Sequence, residues 1–109
     1  MKYSFPFPKV HDPHTVFGLE FPNRLGLSAG FDKNGVALKG LRSLGFGHVE
    51  VGTVTLGLHK GHKEPYIERQ HRALVNRLGL PNAGVKAVAL NIQKHRPKGL
   101  ILGGSIGIS

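Results

Sequence analysis

The stretch "LGLSAGFDKNG", residues 25–35, decides how the rest of the chain is read. Its first half is continuously apolar, the pattern of a strand buried on both faces rather than one alternating between core and water. Its second half turns through Ala29 and Gly30, then crowds Phe31, Asp32, Lys33, Asn34 and Gly35 together. Small residues at a strand end let a flat ligand rest against backbone. Lys33 sets a cation beside that floor. Plainer readings exist for each feature: a lone glycine usually marks a turn, and Lys33 can be a solvated helix start. Asp32 is a good amino-terminal helix cap. A cation is disfavoured at a helix start by the dipole, however, which tilts Lys33 toward a functional role.

Outward from this stretch, residues 15–23 ("TVFGLEFPN") hold two strand-like pieces around Gly18 and predict a small hairpin. Residues 24–30 form the buried strand. Val36, Ala37, Leu41 and Leu44 fall at helical spacing, predicting a helix over 34–44 with Gly45 as its stop. Residues 48–55 ("HVEVGTVT") are rich in β-branched side chains and predict the next strand. The segment 56–80 is long and contains Gly57, Gly61 and Pro65, with short strands expected at "YIERQ" and "ALVNR". A connection of that length in a compact domain is usually functional or disordered. A second helix is expected over 82–95, with Val85, Val88, Ala89 and Ile92 on one face, and "GLILGGSIGIS" gives a third strand after Pro97.

The order is a hairpin followed by β-α-β-α-β, which means an α/β fold with a parallel sheet and right-handed crossovers. Residues 1–14 read as an irregular, proline-rich segment and 15–109 as the α/β domain. Two helices cover one face of a parallel sheet that needs both covered. The chain is therefore expected to be an opened part of a larger body, with an exposed edge and apolar face that favour self-association.

Composition narrows the classes. The 109 residues carry 15 Lys+Arg against 6 Asp+Glu, a net charge of +9, and no cysteine. That charge attracts anions, or marks a piece whose acidic remainder lies elsewhere. Without cysteine there is neither a disulfide framework nor a thiolate metal site, which suits a cytoplasmic location. No run of roughly 18 apolar residues crosses a membrane, and the proline-broken amino terminus lacks the apolar core of a signal peptide. His59 and His62 are too poorly supported by neighbouring ligands to predict a metal site. "GGSIG" lacks dinucleotide-binding spacing.

In a parallel α/β fold, ligand chemistry gathers at the carboxyl ends of the strands. Here those ends are built of glycine, small residues and hydroxyls. "SAGFDKNG", "LGFGHVEVGTVT", "GHKEP" and "NRLGLPNAGV" occur in an order and spacing that resembles the dihydroorotate dehydrogenases, with the first two blocks most similar to the quinone-linked class. The match runs from about Phe17 onward. It implies an FMN-dependent (β/α)8 TIM barrel that oxidises dihydroorotate to orotate in pyrimidine (UMP) biosynthesis. This chain would supply its first three β/α units, preceded by the hairpin.

By that resemblance Ala29, Gly30, Phe31, Asp32 and Lys33 form a flavin-contacting loop, and Thr53 and Ser105 also face the flavin. Lys33, Asn76, Arg77, Leu78, Gly79 and Leu80 would bind the substrate. An ammonium suits its carboxylate, and an amide suits the edges of its pyrimidine ring. The sequence departs from the family at several points: Leu56 and Tyr66 replace a common proline and arginine, and Ile108 replaces a lysine. "NRLGLPN" leans toward the fumarate-linked class, and the helical pair that the quinone-linked class lays on membranes has no counterpart before Thr15. The family's serine base and glycine-rich phosphate site would lie past the third strand, so the isolated polypeptide is expected to be inactive. Two competing readings are a non-catalytic half-barrel that binds flavin or a partner and a basic nucleic-acid module. The latter would show salt-dependent retention on DNA, yet the chain offers no recognition helix or aromatic stacking platform.

Overall fold

The computed structural model describes residues 11–61, 67–76 and 78–108. The proline-rich segment expected over 1–14 thus falls largely outside the described residues, as do Tyr66, His62 and Arg77. The chain opens with an antiparallel hairpin, β1 (His14–Val16) and β2 (Leu19–Phe21), in the register Val16↔Leu19. Its two-residue turn places both Phe17 (φ 52°) and Gly18 (φ 74°) in the left-handed region. Paired positive φ values match the twist of the flanking strands.

A three-stranded parallel sheet follows, ordered β3 (Gly26–Leu27), β4 (His48–Val54) and β7 (Ile101–Ile106). The first strand is far shorter than the 24–30 expected from its apolar run. It pairs with β4 only at His48 and Val49, because beyond Leu27 the chain turns away through Ala29 and Gly30. A single bond, Gly30 N–H to Gly52 O at 3.0 Å, then ties this turn to the far end of β4.

Both helices start later than their apolar spacing suggested. Helix α1 spans Leu38–Ser43 instead of 34–44, because the residues before it are committed to another turn. Asp32 accepts from the backbone N–H of Val36 (2.9 Å) and Ala37 (3.0 Å), and Gly35 sits at φ 72°, outside helical space. Asp32 therefore ties off the turn leading into the helix and is not its cap residue, which is Ala37. Helix α2 spans Val85–His95 instead of 82–95. Asn82 is instead bridged to His59, and Gly84 has φ 91° and ψ 158°. Local side chain–backbone bonds of this kind compete with the helix for the same amides.

The long segment after β4 has structure of its own. Strands β5 (Ile67–Gln70) and β6 (Ala73–Asn76) pair antiparallel as a second hairpin, close to the two short strands expected there.

One core holds the helices against the sheet: Leu38 and Leu41 from α1, Val49, Val51 and Val54 from β4, Val88 from α2, and Leu100. Leu27, Phe46, Ile92 and Leu102 pack around it. Away from this core, Leu25, Phe31, Leu56, Ile106 and Ile108 are exposed, Ile108 at 97%. Among the described residues, β3 and β7 each pair on one side only.

β4 and β7 approach closely at Gly52, where their register shifts between Val51 and Val54. Gly52 has φ 106°, and a Cβ there would stand 2.4 Å from the Ser105 carbonyl oxygen. At this position backbone thus runs against backbone, with no room for a side chain. Gly52→Ala is expected to cost at least about 2 kcal/mol, from the unfavourable φ and the clash together. Denaturant titration of the variant checks this, and an unfolding midpoint equal to the parent's would contradict it.

Candidate functional site

A cavity of about 210 Å³ opens at the carboxyl ends of β3 and β4. It is lined by Ala29 and Gly30, by Lys33, by Thr53, and by Leu78, Gly79, Leu80 and Pro81. Seven of these were candidates from the sequence, drawn from three stretches that fold side by side. Pro81 was not. Its only signal was its place directly after Leu80.

Ala29 and Gly30 form the floor because the Gly30–Gly52 bond folds the strand end over β4. Lys33 is half-buried on the turn tied by Asp32. Among the described residues, no carboxylate lies within ion-pair distance of its ammonium; the ion pairs found, Asp12 with His14 and Arg24, are in and beside the first hairpin. Thr53 Oγ1 lies 2.8 Å from Ser105 Oγ, so the ends of β4 and β7 present a hydroxyl pair beside the cavity. Gly107 closes this corner. A Cβ on it would come within 2.7 Å of Thr53 Cγ2 and 3.0 Å of Leu80 Cδ1.

The other candidates sit differently. Phe31 is 72% exposed, and Asp32 is buried with both carboxylate oxygens engaged by the turn. Neither lines the cavity. Asn76 ends β6 opposite Ile67, two residues before Leu78, and Arg77 lies outside the described residues.

A second, larger cavity of about 600 Å³ is lined by His14, Val16, Phe21, Asn23, Arg24 and His48. It lies at the opposite end of the sheet, where β4 begins, and the ring of His48 meets Phe21 edge-on. Its walls are mainly apolar. Small residues and hydroxyls converge at the other end, and the cation of this larger cavity, Arg24, is paired with Asp12 at 3.6 Å. Among the described residues no cluster of three or more His, Cys, Asp or Glu is placed to hold a metal. His59 Nδ1 accepts from the Gly61 N–H at 2.9 Å. No helix among them is long and apolar enough to cross a membrane.

The fold and cavity thus define a parallel α/β protein with a cavity at its strand ends lined by small residues, a hydroxyl and one lysine. The family model described as dihydroorotate dehydrogenase matches residues 13–108, and the chain belongs to that family. A dihydroorotate dehydrogenase (quinone) of Stenotrophomonas maltophilia is 47% identical over 97 residues, covering 87% of this chain and 28% of the relative. One from Cupriavidus taiwanensis is 49% identical over 102 residues, covering 90% of this chain and 30% of the relative. Among solved structures, the Eimeria tenella enzyme in complex with ferulenol superposes with a TM-score of 0.80 at 32% identity, covering all of this chain and 32% of that one. The chain therefore spans about a third or less of the proteins it resembles.

The two neighbouring residues Asp32 and Lys33 separate by role. Asp32→Ala removes the carboxylate that accepts from two backbone N–H groups and is expected to cost about 1–3 kcal/mol of stability, whereas Lys33→Ala should leave the melting midpoint nearly unchanged. Thermal melts of the two variants decide this; equal losses would mean that Lys33 is also structural.

Proposed function

We propose that this chain forms the first three β/α units of an eight-stranded parallel barrel, and that the barrel is an FMN-dependent, quinone-linked dihydroorotate dehydrogenase of pyrimidine biosynthesis. The parallel β3-β4-β7 order with helices packed in one core supports the barrel reading. So does the 0.80 TM-score over the whole chain. The name "(quinone)" carried by the relatives supports the acceptor. The single observation that carries the function is the cavity in which Lys33, Thr53 and the Leu78–Leu80 wall meet over an Ala29-Gly30 floor.

The residues present fit a flavin and its pyrimidine companion. The floor carries no side chain larger than a methyl group, so a planar ring system can stack on backbone. The Thr53–Ser105 hydroxyls can donate to or accept from the polar edge of a flavin ring. FMN, when bound, supplies the hydride-accepting centre for oxidation of the substrate's C5–C6 bond.

The chain's own residues bind and orient. The Lys33 ammonium holds the substrate carboxylate and borders the flavin edge. Asn76 hydrogen-bonds the pyrimidine ring, with Arg77, Leu78, Gly79 and Leu80 enclosing it. Phe31 belongs to the flavin loop, and Asp32 holds that loop's shape. Loss of the C5 proton needs a base. No imidazole or carboxylate lines the described cavity to serve as one or to activate the hydroxyl pair. We infer that the polypeptide binds ligand without turning it over, and that its exposed sheet edge and apolar residues drive self-association.

The test is titration of the 109-residue chain with FMN and with orotate, followed by a dihydroorotate oxidation assay. Binding of orotate that Lys33→Ala weakens by about ten-fold or more, without turnover, is expected, since one charge-assisted hydrogen bond is worth roughly 1.5–3 kcal/mol. Turnover by the wild-type chain, or binding indifferent to Lys33, would overturn the reading. Sedimentation should show association that grows with concentration; a strictly monomeric chain that unfolds cooperatively contradicts the open-edge account.

A further inference from the structure

We propose that Asn82 is the positioning residue of this site: its buried amide fixes the cavity wall that runs from Leu78 to Pro81. The inference rests on reading the cavity as a ligand site. Asn82 is only 6% exposed and does not itself line the cavity. Its Oδ1 accepts from the backbone N–H of Thr55 (3.2 Å) and of Gly84 (2.8 Å). Its Nδ2 donates to Thr55 Oγ1 (2.9 Å) and to the Leu80 carbonyl (2.8 Å). A primary amide has two donor hydrogens and two acceptor lone pairs, so every one is used. The main chain adds two more bonds, Asn82 N–H to His59 O (2.9 Å) and His59 N–H to Asn82 O (3.0 Å).

Bonds from Asn82 reach two places that matter for the cavity, and a bond from its neighbour Ala83 reaches a third. Thr55 lies just past the end of β4, two residues beyond the lining residue Thr53. Leu80 is itself a lining residue, so the donated bond grips the wall directly. The next residue, Ala83, donates its N–H to Asn34 Oδ1 at 2.9 Å, and Asn34 follows Lys33 in the chain. The wall, the strand end and the turn bearing the cation are thus fastened on two consecutive residues. No other side chain of similar size reproduces the pattern: leucine has no polar atoms, and aspartate keeps the acceptors but loses both donors.

That last difference supplies the test. Asn82→Ala, Asn82→Asp and the core variant Leu41→Ala are made in the full chain. Each is followed by amide hydrogen exchange and by orotate titration. In Asn82→Ala the amides of Thr55 and Gly84 should exchange at least about ten-fold faster, and orotate should bind about ten-fold more weakly. Asn82→Asp should restore protection of those amides yet remain weak for orotate, because the Leu80 carbonyl is released. Leu41→Ala should lower stability while the folded protein keeps the parent affinity, which separates positioning from general destabilisation. Parent-like orotate affinity in either Asn82 variant overturns the proposal, as does unchanged exchange at Thr55 and Gly84 in Asn82→Ala. If the wild-type chain binds no orotate, the functional reading above fails on its own, and exchange in Asn82→Ala still decides whether the wall is held this way.

Discussion

The structure depends on how closely three parallel strand ends can approach one another. β4 lies between β3 and β7, and at Gly52 its backbone comes close to both neighbours. Gly52 makes this possible on the β7 side, where its backbone runs against the Ser105 carbonyl. On the β3 side the Gly52 carbonyl receives the Gly30 N–H. One residue without a Cβ therefore sets the shape of both flanks. A shallow cavity with a backbone floor follows from that geometry.

Two asparagines and an aspartate fill in what the sheet leaves open. Asp32 shapes the turn that carries Lys33, Asn34 reaches across to Ala83, and Asn82 joins the far wall to the end of β4. Each uses a short polar side chain to satisfy backbone groups that regular structure leaves unpaired, the usual work of these residues in turns. The cost is helix length: both helices begin about a turn late. The gain is a set of loops fixed by bonds rather than by packing. In a small domain whose buried aliphatic core is seven residues among those described, this matters for any ligand that needs several groups held at once.

Much of this was legible in the sequence. β4 was readable from Val49, Val51, Thr53 and Val54, because β-branched side chains suit a pleated, half-buried surface. The first hairpin was readable from Gly18 between two apolar pieces, and Gly45 correctly marked the end of α1, where its φ is 100°. The helix starts were not readable from apolar spacing, since Val36 and Ala37 fit the pattern yet are held by Asp32. The short β3 was missed for a similar reason: an apolar run says that residues are buried, not that they are paired. In the site, Ala29, Gly30 and Lys33 stood out on chemistry alone. Leu78 to Leu80 did not, because aliphatic and glycine residues in a loop carry no chemical signal, and they entered only through family resemblance. Asn82 stayed hidden inside an expected helix. Its role exists only once Thr55, Gly84 and Leu80 surround it.

The two cavities lie at opposite ends of one sheet, and this sets up the most direct measurement of where ligand chemistry resides. Amide chemical shifts of the isotopically labelled chain, followed as orotate is added, report each residue's surroundings. The account predicts that the shifts concentrate at Ala29, Gly30, Lys33, Thr53 and the Leu78–Leu80 wall, while His14, Phe21, Arg24 and His48 stay still. Movement confined to the His14–His48 cavity would contradict it.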